Sequence, residues 1–152
     1  STACFIIKIE EFKKSKEKFK LAISLIGTTN EQRSSIMPIN KKNSLDELLN
    51  VSRKYTETLN RWLTFEYVLL KEINDSVEDA KRLLSMLAGM KKCKLNIIPY
   101  NETDGEFRRP DKDQIENFVI ALRPAKFPIT VRWSKGTDID AGCGQLATRN
   151  QV

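Results

Sequence analysis

Four short apolar runs alternate with amphipathic stretches along this chain, at intervals of roughly thirty to forty residues. That spacing constrains the fold more than any other feature, because it marks βα units and a parallel sheet. "FKLAISL" (Phe19 to Leu25) predicts a buried strand. "SLDELLNVSRKY" then opens with a capping box, Ser44 and Glu47, followed by Leu45, Leu48, Leu49 and Tyr55 at helical spacing. "WLTFEYVLL" (Trp62 to Leu70) is aromatic and β-branched enough for a second strand. "NDSVEDAKRLLSMLAGM" predicts a helix started by Asp75 or Ser76, with Val77, Ala80, Leu83, Leu84 and Leu87 on its inner stripe. A third strand, "CKLNIIPY", ends at Pro99. Arg109-Pro110-Asp111 starts a helix with Ile115, Phe118, Val119 and Leu122 on one face, and Pro124 stops it. "PITVRW" (Pro128 to Trp133) is the fourth strand, and the remainder is a loop or short helical turn.

Right-handed crossovers would curl such units into part of a barrel or one wing of an open sheet. In both, the loops after the strand carboxyl ends line the functional face. Ser24, Asn101 and the loop holding Cys143 are expected there together. Four strands are too few to close a barrel, and the chain opens at "STACFIIKI" without a methionine. The expectation is therefore a single domain over residues 1–152 that is half of something larger.

Composition narrows the chemistry. With 152 residues, 40% apolar and 30% charged, the chain suits one soluble α/β domain. It has no run long enough to span a membrane and no signal-peptide pattern, so the cytoplasm is its expected location. There is no histidine, which removes the commonest general base and metal ligand. Cys4, Cys93 and Cys143 lie far apart with no C-x-x-C spacing, as three reduced thiols and not a metal site. Cys93 alternates with Leu95 and Ile97 as a small core residue would. Glu66, on the strand face shared with Thr64 and Val68, is expected to be a buried acid paired with a basic side chain. The net charge of +6 suits an anionic partner. Its excess sits in Lys13 to Lys20, Lys41-Lys42, Lys91-Lys92 and Arg108-Arg109. Neither G-x-G-x-x-G nor a P-loop occurs.

Four segments, "LAISL…NEQRSSIMPINKK", "TFEYVLLKEINDSVEDA", "CKLNIIPYN" and "DIDAGCGQL", resemble the RlmN/Cfr family of radical S-adenosylmethionine (SAM) RNA methyltransferases. The resemblance covers nearly the whole chain in order. It implies the C-terminal half of a partial (β/α)6 TIM-like barrel and methylation of adenine C2 in 23S rRNA, and in RlmN enzymes in certain tRNAs. It also implies an enzyme that works as a monomer. SAM is the implied cofactor, with a [4Fe–4S] cluster whose C-x₃-C-x₂-C ligands lie upstream of this chain, so the chain alone would be inactive. Cys143, glycine-flanked, matches the cysteine that is first methylated and then carries the methyl group to the base. Ser1, Ser24, Leu25 and Asn101 match the SAM contacts. Where the family usually carries histidine or asparagine after Ser24-Leu25, this chain has Ile26. That side chain cannot hydrogen-bond a ribose, so the contact is lost or made by backbone. Pro124 and Lys126 also depart from the family pattern. A fragment of a longer enzyme and a decayed remnant both fit. A basic module binding SAM or RNA without chemistry is the alternative. A thiol enzyme using Cys143 is weakened by the missing histidine.

Overall fold

A computed structural model describes residues 21–36, 44–102 and 105–132. In chain order the elements are β1 (Leu21–Ser24), α1 (Asn30–Ile36), α2 (Leu45–Leu59), β2 (Leu63–Leu69), α3 (Val77–Leu87), β3 (Cys93–Pro99), α4 (Lys112–Ala121) and β4 (Ile129–Val131). The strands form one sheet in the order β1-β2-β3-β4, and every neighbouring pair is parallel. The βα reading of the sequence is the fold. The first and last strands are shorter than their apolar runs suggested, at four and three residues.

Residues of period two decide which face of this sheet is covered. Leu21 and Ile23 of β1, Leu63, Phe65, Tyr67 and Leu69 of β2, Cys93, Leu95 and Ile97 of β3 and Ile129 of β4 are buried. They share one core with Leu48 and Tyr55 of α2, Ala80, Leu83 and Leu87 of α3 and Ile115, Phe118 and Val119 of α4. Phe118 stacks on Tyr67 with ring centroids 5.7 Å apart. Cys93 is a core residue, and burial pushes its thiol up to about 11.

Caps set the helix starts. Ser44 and Ser76 each form a complete capping box, with Glu47 and Asp79 respectively, so α3 starts from Ser76 and not from Asp75. The inner stripe of α3 begins one turn later than its spacing suggested. Val77 is 39% exposed, because at the first helical position it precedes the turn that meets the sheet. Helix α1 was not foreseen. Its sequence, NEQRSSI, has no apolar stripe, and its buried residue is Arg33. Burial lowers the pKa of that guanidinium.

Replacing Ser44 by alanine removes the acceptor for the Glu47 N–H at 3.2 Å and half of the box. Urea unfolding of the Ser44→Ala variant is expected to show a loss of about 1 kcal/mol. An unchanged midpoint would mean that the start of α2 is held by tertiary packing alone.

Candidate functional site at the strand carboxyl ends

The exit from β1 is built from a tight turn and a buried hydrogen-bond network. Leu25 N–H continues the ladder to Glu66 C=O at 2.9 Å, and Gly27 N–H then turns back to Leu25 C=O at 2.7 Å. An i to i+2 bond of this kind closes a γ-turn, and its central residue, Ile26, has φ 67°. A β-branched residue in that region is strained, at a cost of about 1–3 kcal/mol. Gly27 is needed for a separate reason. A Cβ there would meet Gln32 Cβ of α1 at 2.8 Å.

Asn74, in the connection from β2 to α3, holds the turn. Its side-chain N–H groups donate to Ile26 C=O (2.7 Å) and Val68 C=O (2.8 Å), and its side-chain oxygen accepts from Leu70 N–H (2.7 Å). The Tyr67 hydroxyl donates to Asn74 C=O at 2.7 Å. Burial, then the nearby Asp79 carboxylate, raises the Tyr67 pKa, so the phenol stays protonated as the donor.

Asp79 anchors the next layer. One of its oxygens accepts from Thr28 (2.7 Å), Gln32 (2.8 Å) and Arg82 (2.6 Å), and the other from the Ser76 hydroxyl (2.7 Å). Burial alone would raise this carboxyl. The hydrogen bonds from Thr28, Ser76, Gln32 and Arg82 outweigh it and hold Asp79 below the ordinary carboxylate value. Gln32 also donates to Ile73 C=O and accepts from Thr28 N–H, which fixes α1 against both loops. The polar sequence of α1 thus serves this network instead of the apolar core.

The residues expected from sequence are placed as follows. Ser24 ends β1 exposed on the sheet face that the helices leave uncovered. Leu25 is fully buried on the opposite side, so its side chain belongs to the core and any ligand contact is through its main chain. Asn101 is exposed two residues beyond β3, and Arg109 donates to its side-chain oxygen at 3.4 Å and to Tyr100 C=O at 3.3 Å. Ser24 and Asn101 each stand at the carboxyl end of their own strand, but register sets Ser24 level with Asn96, five residues before Asn101. Ser1, Cys4 and Cys143 lie outside the described residues, as do Lys13 to Lys20 and Lys41-Lys42. Arg108-Arg109 follows the carboxyl end of β3, whereas Lys91-Lys92 precedes its amino end.

Glu66 departs from expectation. It is half-buried on the uncovered face and forms no ion pair among the described residues. Its strand neighbours on that face are neutral. Sequence reasoning missed Asn74, Asp79 and Gln32, because an Asn-Asp-Ser run reads as a helix start and the contacts span 41 to 51 residues.

Two ligand groups meet different tests. An exposed serine hydroxyl and an exposed asparagine amide at parallel strand ends fit the hydroxyl and amine groups of SAM. Among the described residues no three Cys, Asp or Glu side chains are grouped to hold a metal. Among the same residues, no helix is long and apolar enough to cross a membrane.

Comparison with known proteins defines the class first. A radical SAM methyltransferase from Sphaerobacter thermophilus superposes with a TM-score of 0.81 at 38% identity, over 92% of this chain and 41% of that one. A domain of pyruvate-formate lyase-activating enzyme from Bacteroides vulgatus shares the fold, at 14% identity and a TM-score of 0.65. The fold is that of the radical SAM methyltransferases. More particularly, the chain is RlmN-like. It is 45% identical over 130 residues to a probable dual-specificity RNA methyltransferase RlmN of Pseudothermotoga lettingae, covering 86% of this chain and 38% of that protein. Against the probable RlmN of Akkermansia muciniphila it is 38% identical over 152 residues, covering 99% of this chain and 42% of that protein. The chain thus spans about two-fifths of the length of the curated relatives it matches. No family model matches it.

Two substitutions test the loop geometry. Asn74→Ala leaves buried main-chain groups of Ile26, Val68 and Leu70 unpaired and is expected to cost about 3 kcal/mol or more. Ile26→Asn places a residue that tolerates positive φ at the turn and is expected to gain about 1 kcal/mol. Denaturant unfolding of both variants measures this, and a destabilised Ile26→Asn would contradict the strained turn.

Proposed function

We propose that this chain forms part of a SAM-dependent RNA methyltransferase that acts on adenine C2 of 23S rRNA and of certain tRNAs. The observation that carries the reading is the position of Ser24 and Asn101. They stand exposed at the carboxyl ends of parallel strands, in a chain 38% to 45% identical to RlmN proteins. The curated relatives are named dual-specificity RNA methyltransferases, which supports an RNA substrate.

When bound, SAM supplies the methyl group and the radical chemistry that an electron-poor ring carbon requires. This chain's residues do the holding. Ser24 offers a hydroxyl to the ribose or amine of SAM, Asn101 offers an amide beyond β3, and the main chain at Leu25-Ile26 lies between the core and the ligand. Ile26 contributes no side-chain hydrogen bond, so the turn enforced by Asn74 sets where that main chain stands. Ser1 is proposed as a further SAM contact and Cys143 as the methyl carrier. Its thiolate would attack the SAM methyl carbon, forming a new S–CH3 bond as the sulfonium S–CH3 bond breaks and S-adenosylhomocysteine leaves as a neutral thioether. Exposed Arg108 beside the site suits a phosphate of the RNA, a contact that weakens with salt. The cluster is held by residues outside this chain, which by itself is inactive, and the longer protein works as a monomer in the cytoplasm.

Mass spectrometry of the Cys143 peptide tests this reading, using the longer protein that carries this chain, loaded with its cluster and exposed to SAM. The expected peptide is heavier by one methyl group on sulfur. An unmodified thiol under those conditions contradicts the methyl-carrier role and leaves a binding module in its place.

A further inference from the structure

The sheet face that the described helices leave open carries a polar row that crosses the four described strands. Register pairs Ser24 with Glu66, Glu66 with Asn96, and Asn96 with Thr130. Parallel neighbours stand about 4.8 Å apart, so the row is about 14 Å long. Every member is exposed or half-buried, while the residues before and after it on β2 and β3 are buried on the helix side. The Thr130 hydroxyl donates to the Asn96 side-chain oxygen, which orients the amide within the row. A parallel sheet normally has both faces covered and apolar, so a polar row across one face is not a core in waiting.

Among the described strand residues of this face Glu66 and Lys94 are charged, and exposed Arg132 follows β4 two residues after Thr130. Lys94 lies near the amino end of β3 with its ammonium 5.1 Å from the centre of the Trp62 ring. Glu66, in the middle of β2, is level with Ser24 and forms no ion pair among the described residues. A cationic ligand would give this carboxylate the opposite charge that the described residues do not supply. The same carboxylate repels a phosphate backbone. The row therefore suits a small cation with hydroxyl groups and disfavours a polyanion.

We propose that Glu66, flanked by Ser24, Asn96 and Thr130, faces the positively charged sulfonium region of bound SAM and sets its preference over neutral-sulfur S-adenosylhomocysteine. This rests on the SAM-binding reading above and adds to it the residue that senses charge. Ser24, Asn96 and Thr130 supply neutral hydrogen-bonding groups for the sugar, which both molecules share, so the preference lies with Glu66.

Equilibrium dialysis of SAM and of S-adenosylhomocysteine against the longer protein carrying this chain tests it, without reference to turnover. The Glu66→Gln variant is nearly isosteric and is expected to lower the ratio of the two affinities about tenfold, mainly by weakening SAM. The Glu66→Asp variant keeps the charge and is expected to keep most of the preference. An unchanged ratio in a folded Glu66→Gln protein that still binds SAM overturns the role of Glu66 and leaves the SAM site standing. Loss of the preference in a folded Glu66→Asp protein contradicts a charge-based role. Failure of the unsubstituted protein to bind SAM overturns both readings at once.

Discussion

Asn74 is fully buried, and its side-chain amide engages three main-chain groups at distances of 2.7 to 2.8 Å. Two belong to the end of β2 and the third to Ile26 in the turn after β1. One amide thereby joins the exits of neighbouring strands, and it does so where Ile26 adopts a conformation that isoleucine disfavours. The strain is sustained because the surrounding bonds over-determine it. Tyr67 fixes Asn74 from below, and the Asp79 network fixes Thr28 and α1 from the side. Removing the amide leaves the Gly27 N–H bond to Leu25 C=O and the Thr28 contacts to hold the turn against that strain.

A second constraint is the one-sided covering of the sheet. Helices α2, α3 and α4 pack their apolar residues into a core on one face, and the other face shows Ser24, Thr64, Glu66, Asn96 and Thr130. The two constraints cooperate. The covered face anchors the strands, the Asn74 and Asp79 networks fix their carboxyl-terminal loops, and the uncovered face meets those loops at Ser24. Polar groups that would be a fault in a core stand exposed or half-buried at that junction.

Much of this was legible in the residues. The short apolar runs mark the four strands and Ser44 marks the start of α2, while Asp75 and Ser76 both fit the start of α3 until the structure shows Ser76 as its cap. Ser24 and Asn101 were legible as residues at the carboxyl ends of their strands. Helix α1 was hidden because its contacts are polar and distant in sequence, carried by Gln32 and not by an apolar stripe. The strain at Ile26 was hidden because a backbone angle is not written in a side chain. A trace of it was present. The family's histidine or asparagine at this position are residue types that tolerate positive φ, so the departure to isoleucine bears on the turn as well as on the ribose. Glu66 was read as a paired acid because a mid-strand carboxylate normally needs a partner, and the sequence could not show that its face of the sheet was uncovered.

The central claim is that ligand binding belongs to the carboxyl ends of the strands. A competing location exists at the other end, where Leu84, Leu87, Met90, Ala125 and Phe127 line an apolar cavity of about 440 Å³. Hydrogen-exchange mass spectrometry of the protein, with and without SAM, separates the two directly. The account predicts slowed exchange in segments 24–28 and 99–102, with segments 88–92 and 123–128 unchanged. Protection confined to 88–92 and 123–128 would contradict it.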